Sequence, residues 1–438
     1  VADLRRAAII GGNRIPFARA NGPYARASNQ DMLTAALNGL IARFGLQNQR
    51  LGEVAAGAVL KHSRDFNLTR EVVLGSCLSP WTPAYDVQQA CGTGLETTIH
   101  VANKIALGQI SNGVAGGVDT VSDAPIAINE DLRRVLLQVN AARSLPQRLA
   151  LLRKLRPGQV IPETPRNAEP RTGMSMGEHA AITAREWDIT REAQDELAVA
   201  SHRNLAAAWN RGFFDDLATP YLGLQRDQNL RPDASMESLA RLRPVFGRNG
   251  NATMTAGNST PLSDGAATVL LGTDEWAKEH RLPVLAHMVD AETAAVDYVF
   301  GSPSPSGGGS GRGPEGLLMA PVYAVPRLLE RNKLNLQDFD FYEIHEAFAS
   351  TVLATLKAWE DPKYSKERLG LGKPLGSIDR SRLNVNGSSI AVGHPFGATG
   401  GRIVATLAKL LAEKGSGRGL ISICAAGGQG VVAIVEAA

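Results

Sequence analysis

Cysteine and histidine residues from opposite ends of the chain carry the chemistry this sequence offers. Cys91 stands in Val87-Gln88-Gln89-Ala90-Cys91-Gly92-Thr93-Gly94-Leu95-Glu96, ahead of a helical run from Leu95 to Leu107. The first turn of a helix leaves backbone N–H groups unpaired, and those donors, with the helix dipole, stabilise a thiolate. Gly92 and Gly94 keep side chains away from the sulfur, so a flat carbonyl has room to approach and its oxyanion can reach a backbone N–H. That is acyl-transfer chemistry at a cysteine nucleophile. A lone cysteine reads more readily as a small thiol packing a strand-to-helix turn, so the partner residues decide.

The partners stand in the last quarter. Asn384-Val385-Asn386-Gly387-Ser388-Ser389-Ile390 leads to Gly393-His394-Pro395-Phe396-Gly397-Ala398-Thr399-Gly400, then to a helix over Arg402–Lys414 and a strand over Gly419–Cys424. In each half, a reactive-type residue precedes a helix whose following strand is flanked by glycine. This is a weak internal duplication. Two pseudo-symmetric α/β halves would bring the helix starts together and set His394 beside Cys91, where a neutral imidazole can take the thiol proton.

The elements that must hold these residues follow from hydrophobic period. Arg6–Gly12 reads as a strand, Asn29–Phe44 as a helix, Glu53–Leu60 as a strand and Arg70–Cys77 as a helix with Cys77 on its core face. Asp86–Gln89 and Gly113–Val121 complete a strand-helix alternation that predicts a parallel α/β arrangement. Residues 123–251 break that rhythm, with amphipathic helices over Gly177–Trp187 and Arg191–Gly212, and read as an inserted domain. The α/β pattern resumes at Ala266–Leu271, and the Gly/Ser/Pro-rich stretch between Phe300 and Gly316 reads as a flexible surface loop.

At 438 residues the chain is long enough for two or three domains, and its net charge of +3 gives no general reason to expect nucleic acid. The three cysteines, Cys77, Cys91 and Cys424, have no metal-ligand spacing and cannot all pair, which suits a reducing compartment. No apolar run is long enough for a membrane span and no leader opens the chain, so a soluble, cytoplasmic protein is expected. His62, His100, His179, His202, His280 and His287 share no metal spacing and read as packing or surface residues.

The stretches around Cys91, His345-Glu346-Ala347-Phe348, Gly393-His394-Pro395 and Cys424-Ala425-Ala426-Gly427-Gly428-Gln429-Gly430 resemble, in order and spacing, the signature blocks of the thiolases. Met176-Gly177-Glu178-His179, Thr255-Ala256-Gly257-Asn258 and Ser263-Asp264-Gly265-Ala266-Ala267 are similar to further thiolase segments. The resemblance implies a thiolase fold: two pseudo-symmetric halves in a five-layered α-β-α-β-α body. The halves would be residues 1–122, completed by 252–274, and residues 275–438, with 123–251 as the loop domain that binds coenzyme A. It also implies cleavage of a 3-ketoacyl-CoA by coenzyme A, with coenzyme A a substrate and no resident cofactor or metal.

The same resemblance assigns roles. Cys91 becomes the nucleophile, His394 its base and Cys424 the acid/base for the enolate and the incoming thiol. A thiol pKa of about 8.5 suits that double task. The backbone N–H groups of Cys91 and Ala426 would form one oxyanion hole, and His394 with a water held by His345 the other. Met176, Ser175, Thr260 and Phe348 are placed along the substrate and coenzyme A path. Most thiolases carry asparagine where His345 stands. The histidine form resembles the β-subunit of the fatty-acid β-oxidation trifunctional complex and its bacterial relatives, implying fatty-acid degradation, a homodimer or homotetramer and a hydratase/dehydrogenase α-subunit as partner. Residues 131–157 interleave arginines with leucines at helical spacing, a basic amphipathic pattern suited to peripheral membrane contact or to packing on the loop domain. The rival readings are a biosynthetic acetoacetyl-CoA thiolase and a non-catalytic acyl-CoA-binding scaffold. A decarboxylating ketoacyl synthase is disfavoured, because Cys424 replaces its second histidine.

Overall fold

A computed structural model describes residues 4–247, 252–299 and 315–438; the Gly/Ser/Pro stretch over 301–313 lies outside them. In the first half, strands β1 (Ala7–Arg14), β2 (Ala18–Arg19), β3 (Val54–Ala56), β4 (Ala84–Asp86) and β5 (Asn112–Asp119) alternate with helices α1 (Asn29–Phe44), α2 (Leu68–Leu74) and α3 (Thr93–Ala106). Helix α1 starts where its sequence says. Ser28 accepts from the Asp31 N–H while Asp31 accepts from Ser28, and Gly45 ends the helix at φ 66°. Helices α4 (Glu130–Ala141), α5 (Leu145–Leu152), α6 (Met176–Glu186), α7 (Arg191–Asn210) and α8 (Met236–Ala240) follow before the chain re-enters the sheet at β6 (Ser263–Gly272). The remainder comprises α9 (Asp274–Glu279), β7 (Ala286–Ala295), α10 (Ala320–Asn332), β8 (Phe341–Ile344), α11 (Ala349–Glu360), α12 (Pro362–Glu367), α13 (Ser389–Val392), α14 (Thr399–Lys414), β9 (Arg418–Ala425) and β10 (Gln429–Ala437).

The strands run in the order β4-β3-β5-β6-β1-β7-β10-β9-β8, with β2 paired to β6. Only β4-β3-β5 and β8-β9 are parallel; the other pairs are antiparallel. The parallel arrangement expected over the first half holds for β3, β4 and β5, whereas β1 is antiparallel to both its neighbours, β6 and β7. The antiparallel β9-β10 pair has a local cause: Gly427 and Gly428, at φ 81° and 72°, close a tight turn, and a turn that short returns the chain antiparallel. Strands β1 and β7 pair over Ala7–Ile9 and join the two halves.

Three apolar layers fill the spaces. Met32, Leu33, Leu37, Leu40 and Ile41 of α1 pack with Val114, Val118 and Leu270 on one outer face. Val322, Val325 and Leu328 of α10 and Val352 and Leu356 of α11 pack with Val432 and Ile434 on the other. Between the two halves, α3 and α14 contribute Leu95, Val101, Ile105, Ile403, Val404 and Leu407 to a central core with Val269, Ile421 and Val431. This is the α-β-α-β-α arrangement.

One sequence reading is corrected here and another gains a packing reason. Helix α2 ends at Leu74, capped through Gly75, so Cys77 lies beyond it and is exposed, its N–H donating to Asn38. Gly92 and Gly94 serve packing. A Cβ on Gly92 would come within 2.9 Å of Val431, and one on Gly94 within 2.6 Å of the Gly401 nitrogen. The starts of α3 and α14 cross at this glycine contact, where a Cβ on Gly400 would sit 2.1 Å from the Leu95 nitrogen. Alanine normally strengthens a helix relative to glycine. Gly400→Ala is nonetheless expected to cost about 3 kcal/mol, because backbone, not a movable side chain, opposes it. Urea denaturation checks this; unchanged stability would show that the crossing has slack.

Candidate active site

Each half delivers one reactive side chain to the crossing. Cys91 sits in a single 3-10 turn, Ala90–Gly92, that leads into α3, after Ala90 at φ 47°. A positive φ at a non-glycine residue is a strained feature that surrounding structure must hold. His394 follows Gly393, at φ 105°, just before α14. Its Nε2 lies 3.1 Å from Cys91 Sγ and its Nδ1 lies 2.6 Å from Thr399 Oγ1. Thr399 donates to the Pro395 carbonyl at 3.4 Å, so its oxygen is free to accept from Nδ1–H. That leaves the Nε2 lone pair facing the thiol, the tautomer a base requires.

The sulfur closes the floor of a cavity of about 760 Å³, whose wall includes Val59, Leu60, Val121, Ile126, Met176, Leu262 and Phe396 and the segment from Thr164 to Pro170. Cys91 is half-buried there. Enclosure pushes its thiol up to about 12, opposed by the backbone N–H groups of Ala426 and Cys91 itself, both of which face the sulfur. Burial, then the charge of Arg402, pushes His394 down to about 3. The resting pair is therefore thiol and neutral imidazole. Desolvation outweighs the helix-start donors at rest, and those donors, with the neutral imidazole, act on the thiolate as it forms.

His345 leaves the end of β8 with its ring centroid 4.2 Å from that of His394. Its Nδ1 is 2.7 Å from Ser389 Oγ, while Nε2 is buried and has no hydrogen-bond partner among the described residues. Burial, with the charges of His394 and Arg402, holds it well below the usual imidazole range. Cys91, His345 and His394 present their ligating atoms within 4.8 Å of one another. Cys424, on β9, is buried and close enough for Cys91 to raise its thiol further, after burial. Glu346, next to His345 in the chain, accepts from Ser201 (2.7 Å), Asn384 (2.8 Å) and the Ile390 N–H (3.2 Å), which marks a structural carboxylate.

The remaining predicted residues divide. Met176 and Ala426 line the cavity. Ser175 caps α6 in a reciprocal bond with Glu178, Thr260 donates to the Ala347 carbonyl at 3.0 Å, and Phe348 packs edge-on against Phe246; none of these three lines the cavity. Leu262 joins the cavity to a smaller one of about 220 Å³ bounded by Ser259, Pro261, His202, Arg19 and Arg231.

Two carboxylates that sequence reasoning missed hold the site's loops. Asp119, fully buried, accepts from the Val59 (3.0 Å) and Leu60 (2.8 Å) N–H groups and from Gly397 (2.7 Å), tying the first half to the His394 loop. Burial pushes it up to about 7 against the pull of those donors. Glu169 accepts from the Gly427 N–H (2.8 Å) and the Tyr298 hydroxyl (2.7 Å), fixing the turn that presents Ala426. Neither sits in a spacing pattern that would have revealed it.

The fold and this constellation define an acyltransferase of the thiolase class. Residues 7–275 match the N-terminal thiolase domain and residues 306–437 the C-terminal thiolase domain, and the chain belongs to the thiolase family. It is 37% identical to a protein of Yersinia enterocolitica named 3-ketoacyl-CoA thiolase and 38% identical to one of Alteromonas mediterranea with the same name. Each match covers 98% of this chain and 97% of the relative. The crystal structure of the Bacillus anthracis acetyl-CoA acetyltransferase superposes with a TM-score of 0.80 at 28% identity, over 100% of both chains.

Proposed function

We propose that the protein is a 3-ketoacyl-CoA thiolase that shortens fatty acyl chains, with coenzyme A as co-substrate and no resident cofactor. The observation that carries this reading is the 3.1 Å contact between His394 Nε2 and Cys91 Sγ at the cavity floor, beside the Ala426 N–H. His394 takes the thiol proton as Cys91 Sγ bonds to the keto carbon of the substrate, whose oxygen collects charge at the Cys91 and Ala426 N–H groups. The bond between C2 and C3 then breaks. Its electron pair leaves as the acetyl-CoA enolate, which Cys424 protonates, and the shortened acyl group stays as a thioester on Cys91. Coenzyme A, deprotonated by Cys424, attacks that thioester and regenerates Cys91. His345 Nε2, buried and without a hydrogen-bond partner among the described residues, stands beside His394 where the enolate oxygen forms in this reading.

The apolar wall from Val59 to Phe396 supports an acyl tail, and the two relatives named 3-ketoacyl-CoA thiolase favour degradation. The name of the Bacillus structure favours the four-carbon, condensing alternative. Thiolysis rates on 3-ketoacyl-CoA substrates from about four to about sixteen carbons separate them: kcat/KM that holds or rises with length is expected, and activity confined to the shortest substrate would select the alternative. A complete lack of turnover with active-site geometry intact would select an acyl-CoA-binding scaffold. Met176 borders the substrate path, while Ser175, Thr260 and Phe348 act on it through the elements they brace.

The same reading includes a homodimer or homotetramer, for which the unpaired outer edge of β4 is an available surface, and a reducing, cytoplasmic setting for its free cysteines. No helix among the described residues is long and apolar enough to cross a membrane. Peripheral contact is supported by α4 and α5, which pack on each other and bury none of their residues. Leu136, Leu137, Leu145, Leu149 and Leu152 are exposed beside Arg148, Arg153 and Arg156. We expect salt-sensitive binding to anionic vesicles or to a hydratase/dehydrogenase subunit. Changing the three arginines to glutamate should weaken it roughly tenfold or more and spare thiolysis of a short substrate. Unchanged association in flotation or pull-down would remove this role.

A further inference from the structure

His345 is the side chain whose chemistry depends most on where one proton sits. One of its ring nitrogens lies within 4.8 Å of Cys91 Sγ and of a His394 ring nitrogen, and with Nδ1 taken by Ser389 it is Nε2 that can help an enolate oxygen, only as a donor. Nothing on that side of the ring sets the tautomer, because Nε2 has no partner among the described residues. The other side does.

Nδ1 meets Ser389 Oγ at 2.7 Å, and the same oxygen receives an N–H of Arg402 at 3.0 Å. His345, Ser389 and Arg402 are each at least 98% buried. Among the described residues the Ser389 hydroxyl has no further partner. A guanidinium only donates, so Arg402 occupies a lone pair of Ser389 and leaves the hydroxyl hydrogen one acceptor within reach, Nδ1. If Nδ1 carried the proton instead, the hydroxyl hydrogen would be buried without a partner, while Nε2 is unpartnered among the described residues in either tautomer, so the Ser389 side decides. An unmade hydrogen bond of this kind costs about 1–3 kcal/mol. We propose that Arg402, acting through Ser389, is a positioning residue that fixes His345 as the Nε2–H tautomer.

The two active-site histidines are then held in opposite tautomers: His394 presents a lone pair to Cys91, and His345 presents an N–H to the enolate oxygen. Each assignment comes from a hydroxyl on the far side of the ring, Thr399 for one and Ser389 for the other. Arg402 has a second effect. Burial pushes it down to about 10, still cationic at neutral pH, and its charge disfavours protonation of both imidazoles. Glu343, the facing buried carboxyl, is pushed up to about 8 by burial with Arg402 opposing, so it does not cancel that charge in full.

This inference rests on the thiolase reading for its consequence, but the tautomer itself can be read in the enzyme alone. In protein labelled with 15N-histidine, with the His345 resonances assigned from their loss in His345→Asn, Nδ1 should show the shift of an unprotonated ring nitrogen and Nε2 that of a protonated one. Ser389→Ala should convert His345 to a mixture of tautomers and lower kcat roughly 10- to 100-fold with KM little changed. Ser389→Thr, which keeps the hydroxyl, should restore both signatures. Arg402→Met should act in the same direction as Ser389→Ala; if it does not fold, Ser389→Ala decides. A protonated Nδ1 in the wild type would overturn the inference, as would a Ser389→Ala protein whose His345 signature does not move, whatever its stability. Absence of wild-type thiolysis would sink the functional reading while the ring-nitrogen shifts still decided this one.

Discussion

Cys91→Ala is expected to lower thiolysis by roughly 10⁴-fold or more, because it deletes the atom that carries the acyl group between two coenzyme A molecules. Removing one small side chain from the cavity floor leaves the glycine crossing of α3 and α14 in place, so the variant should fold and still bind 3-ketoacyl-CoA. Cys91→Ser separates nucleophile chemistry from shape. Although enclosure raises the Cys91 thiol to about 12, a serine hydroxyl in the same place ionises far less readily, and His394 is a weak base there. The serine variant should therefore be nearly as inactive as the alanine one. Turnover within tenfold of wild type in either variant, measured by acetyl-CoA release, would remove Cys91 from the mechanism.

His394→Ala is the second large effect, roughly 10²- to 10⁴-fold in kcat/KM, the usual range for a positioned general base. Its pH dependence is more telling than its size. In the wild type, His394 is held down to about 3 and Cys91 up to about 12, so thiol and neutral base persist between pH 6 and about 9 and this pair gives the rate no pH dependence there; the Asp119 carboxyl, held up to about 7, is the site group that titrates within the window. Without the base, acylation needs preformed thiolate. The window lies below the raised pKa of the thiol, where the thiolate fraction is small and rises tenfold per pH unit, so the log rate of His394→Ala should climb with a slope near one there. A flat profile for the variant would mean that another group takes the proton.

The sequence and the structure agree where local pattern is decisive. The helix over Asn29–Phe44 was legible from its apolar period alone, and the structure adds the Ser28 cap and the closing Gly45 that fix its ends. The meeting of Cys91 with His394 was legible from the repeated order of reactive residue, helix and strand, since two similar halves must place those helix starts together. What escaped was non-local. The antiparallel setting of β1 depends on its lying between β6 and β7, and a hydrophobic run does not encode its neighbours. Cys77 looked internal on a helical wheel, yet α2 stops before it. The helix-start donors around Cys91 were visible in sequence, whereas the desolvation that opposes them was not. Asp119, Glu169, Ser389 and Arg402 act through contacts that bridge distant segments, and no spacing among them announces it.

Incubating the wild-type protein with a 3-ketoacyl-CoA in the absence of free coenzyme A tests the central claim most directly. The first half-reaction should then proceed and the second should stall. Peptide mass spectrometry should find the shortened acyl group on Cys91, and adding coenzyme A should discharge it as acyl-CoA. An acyl group on Cys424 or any other residue, or steady turnover through an enzyme that never carries one, would contradict the account.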